Sequence, residues 1–199
     1  MNSMIMREAL SKCCELGIPI FPHCEDKIIA HGGIMNEGSI SRELGLAGIP
    51  NTSEDVIVAR DIVLAKETGA HLHITHLSTA GSVEMIRIAK EKGIKVTCDV
   101  TPHNLFLTEE YVRSRGTNAI MYPPLRTNDD VLALRQGLKD GTVDAIATDH
   151  APHTDEEKSG GFGKAPKGIV GFETAFAVCL ESLVHNGILS LPELIEKMS

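Results

Sequence analysis

No stretch of this sequence approaches the roughly 20 consecutive apolar residues that a membrane-spanning helix needs, so a helical membrane protein is not expected. The opening Met1-Asn2-Ser3-Met4 has neither the basic start nor the apolar core of a signal peptide, and a cytoplasmic setting is the expectation. Blocks of lysine and arginine are missing as well. With a formal net charge of -8, that argues against nucleic acid or an anionic membrane surface as a partner. The five cysteines include no Cys-x-x-Cys pair, which excludes a zinc ribbon and speaks against a disulfide framework. Cys13, Cys14, Cys98 and Cys179 read as small buried hydrophobes in a reducing compartment. Cys24 lies between His23 and Glu25, and on a strand its thiol points away from His23. No glycine-rich dinucleotide fingerprint or phosphate loop follows any strand pattern, and the glycines of residues 159–164 read as a flexible flap rather than a phosphate cradle.

What is present is an ordinary globular composition, 42% apolar and 23% charged over 199 residues, long enough for one domain with a sizeable core. Apolar spacing predicts a helix over residues 4–16 with Gly17 as its stop, then a buried strand over 18–23. The same sequence of helix, glycine and strand recurs. A helix over 53–68, with Ser53 as its cap, stops at Gly69 and feeds a strand over 71–76. A helix over 80–92 closes at Gly93 before a strand over 94–100. A further helix is expected near 108–115, and a last one runs from a Thr127 cap through Leu138 to a strand over 143–147. Helices alternating with short apolar strands predict parallel β/α units. Without a dinucleotide fingerprint the barrel is favoured over the doubly wound sheet. Residues 24–52 and 150–170 read as long irregular segments, each beginning where a strand ends, and loops of that length are usually functional.

Three predicted strands end in a side chain able to bind a divalent metal: His23, His76 and Asp149. In a parallel barrel all strand C-termini open on one face, so residues distant in sequence converge there. The tract from Asp144 to His153 is the clearest case, an apolar strand ending in an acid flanked by His150 and His153. His71 and His73 lie near the other end of their strand and read as barrel-layer residues. His103 is placed to contact substrate or to organise the rim. His31, in a long loop, and His185, assigned to the last helix, read as structural or solvated.

Six motifs in order, from Phe21-Pro22-His23-Cys24-Glu25-Asp26 through His73-Ile74-Thr75-His76, Val100-Thr101-Pro102-His103, Pro123-Pro124-Leu125-Arg126 and Thr148-Asp149-His150-Ala151-Pro152-His153 to Ala165-Pro166-Lys167-Gly168, resemble dihydroorotase of the longer bacterial type in the amidohydrolase superfamily. The resemblance covers essentially the whole chain. It implies residues 1–199 as a single partial domain of a TIM-type (β/α)8 metal-dependent hydrolase barrel, roughly strands five to eight with their helices. It further implies zinc, two ions per site in the complete enzyme, and reversible cyclisation of N-carbamoyl-L-aspartate to dihydroorotate. By motif match His23, His76 and Asp149 are metal ligands, and Asp149 is also the general base. His153, Tyr122 and the backbone of Ala165, Pro166 and Gly168 hold the substrate. Possible partners are a second copy or aspartate transcarbamoylase.

The match departs from the family in residues it lacks, at Tyr122 and, more mildly, at Asn104, where a second histidine is common. The His-x-His-x-Arg motif of the first barrel strand and the bridging acid of the fourth have no counterpart, so the chain is expected to be an internal or C-terminal barrel segment, inactive alone and prone to self-association through open sheet edges. Tyr122 stands where the family usually has asparagine, and a phenol lacks the paired donor and acceptor of an amide. A related cyclic amidohydrolase such as hydantoinase or allantoinase, and a non-catalytic dihydroorotase-like binding protein, are the alternatives.

Overall fold

Helices and parallel strands alternate along the computed structural model, which describes residues 2–199. Helix α1 (Ser3–Leu16) starts where the Asn2 side chain accepts the Ile5 N–H and stops at Gly17, whose φ of 67° lets it cap the carbonyls of Cys13 and Cys14. That left-handed turn sends the chain directly into the extended residues 18–23. There follow α2 (Lys27–Ala30), β1 (Met35–Asn36), α3 (Ser39–Leu44), β2 (Gly48–Ile49), α4 (Thr52–Thr68), β3 (Leu72–Ile74), α5 (Ala80–Glu91) and β4 (Val96–Val100). The remainder comprises α6 (Pro102–Phe106), α7 (Tyr111–Arg115), a 3-10 turn Gly116–Ala119, α8 (Asn128–Asp140), β5 (Ala145–Ile146), α9 (Asp155–Lys158), α10 (Ala175–Cys179), a π turn Leu180–Val184 and α11 (Leu191–Lys197).

The main sheet has the order β3-β4-β5 and is parallel throughout, with Leu72 opposite Val96 and Asp99 opposite Ala145. A parallel bridge from Ile20 to Leu72 adds the extended segment after α1 as a fourth member. Helices α1, α4, α5 and α8 pack side by side, each running ahead of its strand. Between helices and sheet lies the principal core, which includes Met6, Leu10, Val58, Leu72, Ile86, Cys98 and Leu134. Because the strands are parallel, Pro22, Thr75, Thr101 and Thr148 all follow strand ends on the same side, and that side carries the candidate site.

Several details differ from the sequence reading. The strands are shorter than their apolar runs, since 18–23 forms one bridge and 143–147 only two paired residues. Residues 24–52 are not irregular. They hold two short helices and a two-stranded parallel ribbon, and Met35 and Ile40 there build a second core with Val112, Ile120, Met121 and Leu125. Asn51, not Ser53, is the N-cap of α4, while the Ser53 hydroxyl donates to the Pro50 carbonyl at 2.8 Å. Cys14 is exposed and Cys13 half-buried, because the outer face of α1 has nothing packed on it; Cys98 and Cys179 are buried. His185 caps the π turn rather than lying within the final helix. Among the described residues no helix is long and apolar enough to cross a membrane.

Candidate active site

Two imidazoles from neighbouring strand ends meet at the centre of the site. His23 Nδ1 and His76 Nε2 are 3.0 Å apart and the rings are edge to face. His76 has a φ of 41° and Asp149 a φ of 46°, so both strand-end residues sit in the left-handed region. That conformation is uncommon outside glycine, though His and Asp enter it more readily than most residues, and it clusters where function holds a side chain in place. The restraint at His76 is visible. Asp99, 6% exposed, accepts the His76 backbone N–H at 2.8 Å through Oδ1 and contacts His73 Nε2 at 2.9 Å through Oδ2. The other nitrogen of His73 meets the Thr97 hydroxyl at 2.8 Å, as His71 Nε2 does at 2.9 Å. His73, on the strand, therefore also braces the acid that fixes the His76 backbone.

Burial, then the neighbouring His76 and Lys27, pull the His23 pKa down to about 4. At neutral pH its ring keeps a free lone pair, the form a metal requires. Cys24 takes no part, as its thiol points the other way toward Asp61 Oδ2 at 3.8 Å and burial raises its pKa well above the usual thiol range. Asp149 is exposed and lies beyond the end of β5. Among the described residues no group of three or more His, Cys, Asp or Glu is gathered as a metal-binding cluster.

Tyr122 covers His23. The two rings stack with centroids 5.5 Å apart and 18° between planes, and the Lys167 ammonium lies 3.9 Å from the phenol centroid on a cation–π contact. Lys167 also donates to the Gly33 carbonyl at 2.9 Å, which joins the segment after α9 to the loop before β1. The substrate-binding candidates cluster here. His153 Nε2 is 3.3 Å from the Lys167 carbonyl, and the Gly168 N–H donates to the Ile120 carbonyl at 3.1 Å. Gly168 has a φ of 148°, and an added Cβ would come within 2.7 Å of the Ala151 carbonyl and 3.0 Å of His153 Nε2, so glycine is required on both counts. The Ala165–Pro166 stretch is pinned by Lys158, which donates to the carbonyls of Thr117, Ile120 and Pro166 at 3.4, 3.1 and 2.9 Å. His150 is locked from outside: Phe172 stacks on it at 4.0 Å, and its Nδ1 accepts the Gly171 and Phe172 backbone N–H groups.

Below the site runs a buried charged network. Arg126, 2% exposed, donates to Ser78 Oγ at 3.1 Å, Asn36 Oδ1 at 3.0 Å and the Ile49 carbonyl at 2.7 Å. Glu54, 4.0 Å from the guanidinium, accepts from the Ser78 and Thr79 backbone and hydroxyls. Burial draws the Arg126 pKa down and Glu54, with Asp130, Asp55 and Glu109, pushes it back up. The Pro-Pro-Leu-Arg motif thus ends in a structural arginine. Sequence reasoning missed Asp99, Glu54, Lys158 and Lys167. The legible signal for Asp99 was an acid inside an otherwise apolar strand, a position that demands partners.

A parallel sheet flanked by helices, with imidazoles meeting at the strand ends, defines a segment of an amidohydrolase-type barrel. Solved structures agree. The L-hydantoinase (dihydropyrimidinase) from Arthrobacter aurescens superposes with a TM-score of 0.87 at 27% identity, over 100% of this chain and 45% of that one. D-hydantoinase from Thermus sp. gives 0.84 at 24% identity, again over 100% and 45%, and shows the fold alone. Residues 1–82 match the family model described as dihydro-orotase-like. A dihydroorotase of Syntrophus aciditrophicus is 53% identical over 199 residues, 100% of this chain and 46% of the relative. One from Endomicrobium trichonymphae is 52% identical over 198 residues, 100% and 47%. The chain is similar along its whole length to curated dihydroorotases, and it spans about half the length of those relatives.

Proposed function

We propose that this chain supplies part of a dihydroorotase site, one that closes N-carbamoyl-L-aspartate to dihydroorotate and reverses the step. The carrying observation is the His23–His76 pair, 3.0 Å between ring nitrogens at adjacent strand ends, in a chain that is 53% identical to a curated dihydroorotase over 199 residues. In this reading residues 1–199 are one partial barrel domain of a cytoplasmic protein with a small-molecule substrate. A second copy or aspartate transcarbamoylase is its macromolecular partner.

The donor set fits zinc. Imidazole nitrogens are zinc donors, and His23 Nδ1 and His76 Nε2, 3.0 Å apart, would hold the ion from two adjacent strand ends. By motif match Asp149 is the third ligand. Zinc bound there would lower the pKa of water to about 7 and polarise the amide carbonyl. Asp149, exposed beyond β5, takes the proton of the attacking water on a carboxylate oxygen and returns it to the ring nitrogen as the amide bond breaks. Ring closure runs the same proton backwards, from the carbamoyl nitrogen to the departing water. His153, Tyr122 and the backbone of Ala165, Pro166 and Gly168 orient the substrate, and Lys158 holds that backbone still.

Elemental analysis of the purified chain and of the His23→Ala/His76→Ala variant tests the reading. About one zinc per chain, lost in the variant, supports it; a folded, zinc-free chain would falsify it. Tyr122 is the observation favouring a second reading, since its ring fills the space beside His23 where the family's amide would sit. In a full-length protein that contains this segment, a kcat/KM for hydantoin or allantoin above that for dihydroorotate selects the second reading.

A further inference from the structure

His103, at the start of α6, is 7% exposed, and its Nε2 is one of two buried side-chain atoms without a hydrogen-bond partner among the described residues. A buried polar atom left unpaired is destabilising, and such exceptions in folded proteins mark a catalytic role, a water or a ligand. The surroundings of His103 are firmly built. Thr101 caps α6 by accepting the Asn104 N–H at 3.3 Å, and Asn104 Nδ2 donates to the Pro124 carbonyl at 3.2 Å. The residue beside His103 is therefore tied to the loop that carries Tyr122. The strand before it, β4, is paired with β3, whose end carries His76. Burial, and then the nearby His76, bring its pKa down to about 4. At neutral pH the ring offers one N–H and one lone pair, and no charge.

We propose that His103 is a ligand-binding residue of this site, its Nε2 hydrogen-bonding an oxygen of the cyclic amide held beside the His23–His76 pair. The proposal rests on the function argued above, because it takes its ligand class from there. A neutral imidazole in a desolvated place suits an oxygen that carries partial charge, and it discriminates against analogues that lack that oxygen.

Histidine-selective nitrogen–proton correlation spectra of the full 199-residue chain, loaded with zinc and titrated with dihydroorotate, supply the test. The expected result is a shift of the His103 Nε2 resonance together with those of His23 and His76. His103→Leu should keep or raise the Tm, since it removes an unpaired polar atom, yet weaken dihydroorotate binding about tenfold or more. His103→Gln, which retains a side-chain N–H, should recover part of that binding. Shifts at His23 and His76 without one at His103 overturn this inference and leave the site reading intact. No shift at any histidine overturns both. A lowered Tm with unchanged binding in His103→Leu assigns the residue to folding alone and also overturns the proposal.

Discussion

At His76 one carboxylate does two jobs. Asp99 fixes the backbone of His76, a proposed zinc ligand, and pairs with His73, so its removal should disturb His76 without touching it directly. Partners that orient a ligand typically account for tenfold to a hundredfold in metal affinity. Asp99→Ala is accordingly expected to weaken zinc binding by about 10- to 100-fold in a competitive chelator titration, with the far-UV spectrum unchanged. His103 makes a second prediction, through linkage. Its folded-state pKa of about 4 lies below the 6.5 of an ordinary histidine, so the unfolded chain binds the proton first as pH falls. Stability is fully present above pH 6.5 and declines toward pH 4, by an amount on the order of 3 kcal/mol. Urea midpoints measured across that window should fall, and His103→Leu should flatten the slope; half-exposed His23, shifted the same way, keeps a smaller residual. Strand-end His23, His76 and Asp149 were legible from their position after apolar runs. Their supports were not, because hydrogen bonds such as His73 to Asp99 join residues 26 apart in sequence.

Elements explain why the segment after α9 holds its shape despite three glycines between residues 160 and 163. Lys158, at the last position of α9, directs its ammonium into three carbonyls that belong to the turn after α7 and to the Ala165–Pro166 stretch. Substituting Lys158→Met leaves those carbonyls short of a donor, at a cost of about 1–3 kcal/mol. Amide exchange over residues 160–168 should accelerate in that variant while exchange in α4 and α5 stays slow. Helix existence was readable in advance, since α1, α5 and α8 carry three-to-four apolar spacing and α1, α4 and α8 end on a glycine cap. Strand length was not. An apolar run marks burial, whereas pairing depends on how far the neighbouring strand extends, and residues 18–23 find only Leu72. The ribbon of β1 and β2 was invisible for a related reason: two paired residues leave no period to detect.

Over the whole molecule, the segment 18–23 and β5 each have a sheet neighbour on one side only, and Met4, Leu16, Ile18 and Phe21 near that first edge are exposed. Apolar surface beside an open strand favours association. Sedimentation velocity is expected to show concentration-dependent self-association that Phe21→Glu reduces; a monomer at all concentrations contradicts it. Arg126 carries a consequence of a different kind, in time rather than in energy. Its partners Ser78, Ile49 and Asn36 lie 48, 77 and 90 residues away along the chain, so these bonds close only after the β/α units between them have docked. A contact made that late is expected to be absent from the folding transition state, in which case breaking it changes the rate of escape from the native state, not the rate of reaching it. Arg126→Met should therefore leave refolding nearly as fast as before while unfolding accelerates by about two orders of magnitude or more, as loss of one partner from a buried ion pair implies. The buried arginine beneath the site acts as a latch on how long the fold persists.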